Sequence, residues 1–200
     1  MQDIISAVSG ILNVSLNHII KSKRGKGGGT YAHRNIFLAY AKYLDAELHV
    51  ICNEIVFERI EEENNPDIIV DRAIKTYERR GKDAQWIAKR LHAKGVRNQF
   101  TQTLSQHGVL NDGYKKCTDA IYIGLFGQEA KGIRRNRNLP EGCNLRENLS
   151  SLELSAISLS EELAMEDISK NRLYGNEECS ISSNRASRSV SQSIINFRKN

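Results

Sequence analysis

Four glycines in five positions, Gly25 and Gly27 to Gly29, rule out any regular element across the middle of the segment Lys21 to Leu44. Glycine loses more conformational freedom in a helix or strand than any other residue, and it adopts turn conformations that other residues avoid. The chain must therefore turn here, as a loop or a hairpin tip. Lys21, Lys23, Arg24, Lys26 and Arg34 fall within fourteen positions around that turn, with no acid among them. Directly afterwards Ile36, Phe37, Tyr40, Ala41 and Leu44 follow the spacing i, i+1, i+4, i+5, i+8, one broad apolar face of a helix. A solvated cationic turn braced by an apolar helix suits a polyanion, because long basic side chains displace counterions from phosphates.

The charge is distributed in blocks. Residues 1–44 carry six basic and one acidic side chain, and residues 45–67 one basic and eight acidic. Basic blocks follow over 68–99 and 100–140, then an acidic one over 141–168 and a basic one over 169–200. Alternating blocks imply separate surfaces, with the cationic ones free to meet a polyanion. A hydrophobic fraction of 40% and a charged fraction of 26% are those of an ordinary globular protein. No run approaches the roughly 18 apolar residues of a membrane span, and the N-terminal residues lack the order of a secretory signal. A cytoplasmic protein is expected. Cys52, Cys117, Cys143 and Cys179 lie far apart with no CxxC spacing, which predicts reduced thiols and no zinc site.

Along the chain, residues 3–21 are helix-prone through Ile4, Ile5, Val8 and Ile11, with a break predicted at Gly10. Thr30, Tyr31 and Ala32 are predicted to form a short strand after the glycine turn. A helix from Asn35 and a second one capped by Asp45, with Leu48, Ile51, Cys52, Ile55 and Val56 on its stripe, make a tight helical corner. The acidic run Glu61 to Glu63 interrupts that pattern and places a domain boundary near 61–66. Asn65 then caps a helix with Pro66 in its first turn. Residues 83–106 read as a long helix, bent at Gly95 and ending at Gly108. Ala84, Ile87, Ala88 and Leu91 form its inward face, and Trp86, Arg90, Lys94 and Arg97 form a cationic stripe on another. That stripe suits either a DNA backbone or an acidic partner such as the 141–168 block. Trp86 itself is expected in a core or interface. Asn111-Asp112-Gly113 is a turn, Thr118 a candidate cap, and Ser150 with Glu153 a capping box. Beyond Ser169 the chain is rich in Ser, Asn and Arg, a composition that predicts a disordered basic tail.

Few residues suggest covalent chemistry. The glycine run lacks the Gly-Lys-Ser/Thr ending of a nucleotide-binding loop, since Gly29 precedes Thr30. His18, His49, His92 and His107 have no Cys, Asp or Glu at ligand spacing, and no nucleophile–base pair can be assembled. His33 lies at the start of a helix, where free amide N–H groups donate to phosphate and a histidine serves equally as a cap. No enzymatic activity and no cofactor are expected.

The stretch GGGTYAHRNIFLAYAKYLDAELHVICNEIV resembles the second half of the KilA-N domain of large DNA viruses and bacteriophages. Gly29, Thr30, Tyr31, His33, Leu38, Ala41, Tyr43, Leu44, Leu48 and Val50 match its pattern in order. The resemblance spans about residues 1–58 and starts past the strands and helix that open a complete domain. It implies a small α+β fold that binds DNA. Residues Lys82–Asp167, through TQTLSQHGV, TDAIYIGLFG and IRRNRNLPEGCNLREN, look like the module that follows KilA-N domains in phage proteins, and more distantly like part of DNA-damage-inducible protein D. The expected fold is mainly α with a small β element: a partial KilA-N-like domain over 1–60, a helical module over 67–168, and the disordered tail 169–200. The resemblance implies a phage or prophage regulator, antirepressor-like, whose partner is double-stranded DNA. Lys21, Lys23, Arg24 and Lys26 would hold phosphates, Thr30, Tyr31, His33 and Arg34 would position the loop, and Arg90, Lys94 and Arg97 would add contacts. The alternative is a protein-interaction module in which 68–168 binds a repressor or host factor without touching DNA. Self-association is open in both readings.

Overall fold

A computed structural model describes residues 2–199 of the chain. By contacts the chain divides into two compact units, Met1–Arg72 and Ala73–Asn200. The fold is mainly α with a small two-stranded sheet, as the periodicities predict.

The first unit begins with α1 (Gln2–Leu12) and the single turn α2 (Leu16–Ile19). Gly10 does not break α1: nothing lies within 4 Å of where its Cβ would be, so it costs the helix only backbone entropy. The strands β1 (Ile20–Lys23) and β2 (Gly29–Ala32) pair antiparallel, so Ile20 and Lys21, at the end of the stretch predicted as helix, belong to the hairpin instead. Helix α3 (Arg34–Leu44) follows, and Asp45 serves both ends of the corner. Its N–H bonds Ala41 O at 3.0 Å, and its Oδ1 accepts from Leu48 N at 3.0 Å to open α4 (Ala46–Asn64). The acidic run does not end α4. Glu62 is buried there and pairs with Arg59 and with Arg72, whose Nε is 2.7 Å away, which offsets the repulsion within the run. By contacts the two units divide after Arg72, inside α5 (Asp67–Arg79). The buried apolar cluster of this unit is small: Val8, Ile19 and Ile36, with Ile5, Val14 and Ile20 against it. Large apolar side chains of α3 and α4 remain exposed, among them Phe37, Tyr40, Tyr43, Ile55 and Phe57.

The second unit packs α6 (Ala84–Gln106), α7 (Gly113–Phe126), α9 (Ser151–Asn171) and α10 (Gly175–Lys199) around one core, with α8 (Ala130–Asn136) and the 3₁₀ turn Leu145–Asn148 beside it. Helix α6 runs unbroken through Gly95. Its buried face is Trp86, Ile87, Ala93, Val96, Phe100 and Leu104, while Ala84 and Ala88 are exposed. Trp86 donates its Nε1–H to Leu149 O at 2.8 Å and meets Tyr77 edge-on at 5.4 Å. Ser150 and Glu153 form the predicted capping box of α9. Thr118 is not a cap; it lies inside α7 and donates to Tyr114 O at 2.7 Å.

Residues beyond Ser169 are not a disordered tail. Gly175–Lys199 form α10, which packs against α7 and α9 and buries Cys179, Ser182, Ser183, Ala186, Ser187 and Val190. The serines make this workable. Ser183 Oγ donates to Cys179 O at 2.7 Å and Ser187 Oγ to Asn184 O at 2.9 Å, so the hydroxyls are satisfied within their own helix. What they present to α7 is small volume, and helices approach closely over small residues. No helix among the described residues is long and apolar enough to cross a membrane.

Candidate nucleic-acid interface

The glycine segment is the tip of the β1–β2 hairpin, and the backbone needs glycine there. Gly25 and Gly27 have φ of 103° and 81°, in the left-handed region that side chains disfavour. A Cβ at Gly28 would lie 2.2 Å from Lys23 O, because Gly28 N–H closes a turn onto Gly25 O at 2.8 Å. Below the tip the register is Lys23↔Gly29, Ser22↔Thr30, Lys21↔Tyr31 and Ile20↔Ala32. Successive residues of a strand point to opposite faces, so Lys21 stands beside Tyr31 on one face, and Ser22 and Thr30 share the other. The two hydroxyls of that second pair are 3.1 Å apart.

The hairpin is anchored at its base. His33 N–H donates to Ile19 O at 2.7 Å, and its Nδ1 accepts from Asn35 N at 3.3 Å as the N-cap of α3. Ile19 and Ile36, on either side of this joint, are both buried. One strand pair alone is marginal in water, so this anchoring keeps the basic tip presented. A cleft of about 740 Å³ opens beside the strands, lined by His18, Ile20, Lys21, Ser22, Tyr31, Ala32 and His33. His18 is held by Ser15, whose Oγ lies 2.7 Å from Nδ1. His18 and Ser22 belong to this surface although the sequence reading leaves them out. The signal lay in the Ser15–His18 i,i+3 spacing and in the cross-strand partner of Thr30.

Lys21, Lys23, Arg24, Lys26 and Arg34 are exposed, and none of them enters an ion pair among the described residues. Tyr31 is 65% exposed, a large ring left in solvent next to lysine. Of the acidic residues of the same unit, Glu62 is engaged by Arg59 and Arg72, and the hydrogen bond from Arg72 holds it below the usual carboxylate range. Cations, an exposed ring and a half-buried histidine thus share one glycine-tipped hairpin braced by α3.

Residues 1–63 match the KilA-N domain. KilA-N is a DNA-binding domain family, and the matched residues contain the whole hairpin, α3 and nearly all of α4. Residues 64–200 lie outside the KilA-N match, and no curated protein matches the chain.

The second cationic group behaves differently. Trp86, Arg90, Ala93, Arg97, Phe100 and Leu104 follow the spacing of a buried seam, so Arg90 and Arg97 lie along the inward side of α6 instead of forming an outer stripe. Arg97 donates to Glu161 at 3.3 Å and to Thr118 Oγ1 at 2.6 Å, with its guanidinium 5.5 Å from the Phe100 ring. Glu161 is wholly buried and also pairs with Arg146, whose Nε donates to Tyr122 Oη at 3.3 Å. Removing Arg97 from this group would leave a buried carboxylate short of a partner, a costly change. Arg97 is therefore engaged within its own unit, and its partner there is the acidic 141–168 block, the other option of the sequence reading. Arg90 is half-buried, while Lys94 is exposed. Among the described residues no group of three His, Cys, Asp or Glu side chains is placed to hold a metal ion.

Proposed function

We propose that the chain is a bacteriophage or prophage regulator of transcription, antirepressor-like in role, that grips double-stranded DNA through the β1–β2 hairpin in the cytoplasm of a bacterial host. Lys21, Lys23, Arg24 and Lys26 contact phosphates from the tip and upper strands. Thr30, Tyr31, His33 and Arg34 set the angle at which the hairpin meets the backbone. The observation that carries this reading is the set of exposed tip cations without acidic partners on a rigidly based hairpin. No metal or group transfer is needed for it.

Four neutralised phosphates give a log–log salt slope of about −3.6 for duplex DNA. Fluorescence anisotropy with a labelled duplex should show that steep fall. Replacing the four tip cations by alanine should abolish most of the binding and flatten the slope. Binding that is insensitive to salt, or unchanged in the fourfold variant, would exclude the hairpin as the contact.

A second reading, with the 73–200 unit as a docking module for a repressor or host protein, draws support from the groove between α9 and α10. This groove encloses about 330 Å³, and Leu152, Leu159 and Leu163 line it while remaining substantially exposed. Retention of a protein partner after nuclease treatment, and its loss on Leu159→Glu, would favour this reading.

A further inference from the structure

No acidic residue lies between Asp3 and Asp45, and every residue lining the cleft beside the hairpin comes from that stretch. Its polar side chains are His18, Lys21, Ser22, Tyr31 and His33, each able to donate a hydrogen bond. A concave surface with donors, positive charge and no carboxylate suits an anion. At about 740 Å³ the cleft has room for a phosphodiester unit of a nucleic-acid strand. The bond from His33 N–H to Ile19 O sets the two histidines on either side of one joint at the base of the hairpin.

The two rings enter the cleft on different terms. A backbone N–H can only donate, so the bond from Asn35 N leaves His33 Nδ1 bare and puts the ring proton on Nε2. A second proton would go to Nδ1 and break this cap of α3. His33 therefore offers a neutral Nε2–H. His18 is under no such restriction. Its Nδ1 lies 2.7 Å from Ser15 Oγ, and a hydroxyl accepts from a protonated Nδ1 as readily as it donates to a bare one. The imidazolium keeps its serine and still has Nε2–H to give. The charged groups nearest it in the hairpin and α3 are cations, Lys21, Lys23 and Arg34, with the Tyr31 hydroxyl across the strands. Helix α1, which packs against α2, has Asp3 in its first turn as its one ionisable side chain. The ion pairs of the first unit join Arg59 and Arg72 to Glu58 and Glu62, so neither histidine enters one among the described residues. A charge on His18 must find its counter-ion outside the chain.

We propose that this cleft is a phosphate subsite for the DNA backbone, distinct from the tip, in which His33 donates as a neutral ring and His18 takes up a proton as the phosphate arrives. The subsite rests on the DNA-binding reading of the hairpin and adds to it that binding tightens with acid. His18 is thus a further contact residue, and the one that makes the grip sensitive to pH.

Fluorescence anisotropy with a labelled duplex, at fixed salt between about pH 8 and about pH 5.5, spans the range in which histidine changes charge. Affinity should rise about fivefold towards acid, the difference between a charged and a neutral donor to one phosphate. The log–log salt slope should steepen by about 0.9. His18→Gln should remove both changes. His33→Asn, which retains a capping side chain, should weaken binding by one factor throughout and keep the pH gain. His49→Gln, at an exposed histidine of α4, should alter nothing. His18→Lys, charged throughout, should bind near pH 8 as the wild type does near pH 5.5, and it decides the matter if His18→Gln loses helix content. Salt-dependent binding that is flat in pH overturns the subsite and leaves the tip contacts standing, whereas no binding at any pH overturns both. A pH gain that survives His18→Gln, or one that His49→Gln abolishes, also overturns the subsite.

Discussion

Gly124 stands where α7 meets α10, and a Cβ there would fall 1.9 Å from Ser187 Oγ and 3.0 Å from the backbone N of Arg188. The serine could rotate away, but the α10 backbone could not yield without moving the helix. Gly124→Ala should therefore destabilise the second unit by about 1–3 kcal/mol, read as a lower urea midpoint. Gly95→Ala makes the contrast. Nothing lies within 4 Å of its Cβ position in the middle of α6, so the same substitution should raise stability by about 0.5–1 kcal/mol. The two glycines look alike in sequence. At this scale the hairpin tip was legible, because its glycines and lysines act through backbone freedom and charge that need no neighbours. The roles of Ser183, Ser187 and Arg97 were not legible, because each depends on what another helix brings to it.

At the scale of elements, α10 is tied to α9 by charge as well as by packing. Asp167 on α9 accepts from Arg185 and Ser182 on α10, and its own helix adds Asn171 at 2.8 Å. The Arg185 hydrogen bond holds the Asp167 carboxyl below its ordinary value of 3.8, against a smaller opposing effect of burial. A carboxyl depressed in the folded state adds stability that is complete above its unfolded value and is lost as pH falls through the folded one. The stability advantage of the wild type over Asp167→Asn should thus hold at neutral pH and fade below 3.8, measured as the difference between their urea midpoints across an acid series. A difference that grows towards acid would contradict this. The same coupling explains why composition misjudged 169–200. Serine, asparagine and arginine are poor core formers alone, yet α7 and α9 supply a surface on which small and paired polar residues fit.

For the whole molecule, the two units differ sharply in core. One rests on a three-residue buried cluster and the other on a core that includes Trp86, Phe100, Ile121, Leu154 and Ile157. Calorimetry should resolve two transitions, with the lower one belonging to residues up to Arg72 and silent to Trp86 fluorescence, since the only tryptophan lies in the other unit. Coincident calorimetric and fluorescence transitions would show instead that the units unfold as one. By itself the sequence determined the α3–α4 corner, the long α6, the turn, the Asp45 and Ser150 caps and the cationic tip, because local periodicity, backbone preference and charge act within a few residues. Only tertiary structure decided that Arg97 neutralises Glu161 and that a serine-rich segment is a packed helix. Each of those depends on a partner distant in the chain, and the energy of burying a polar group is set by that partner and not by the residue's own type.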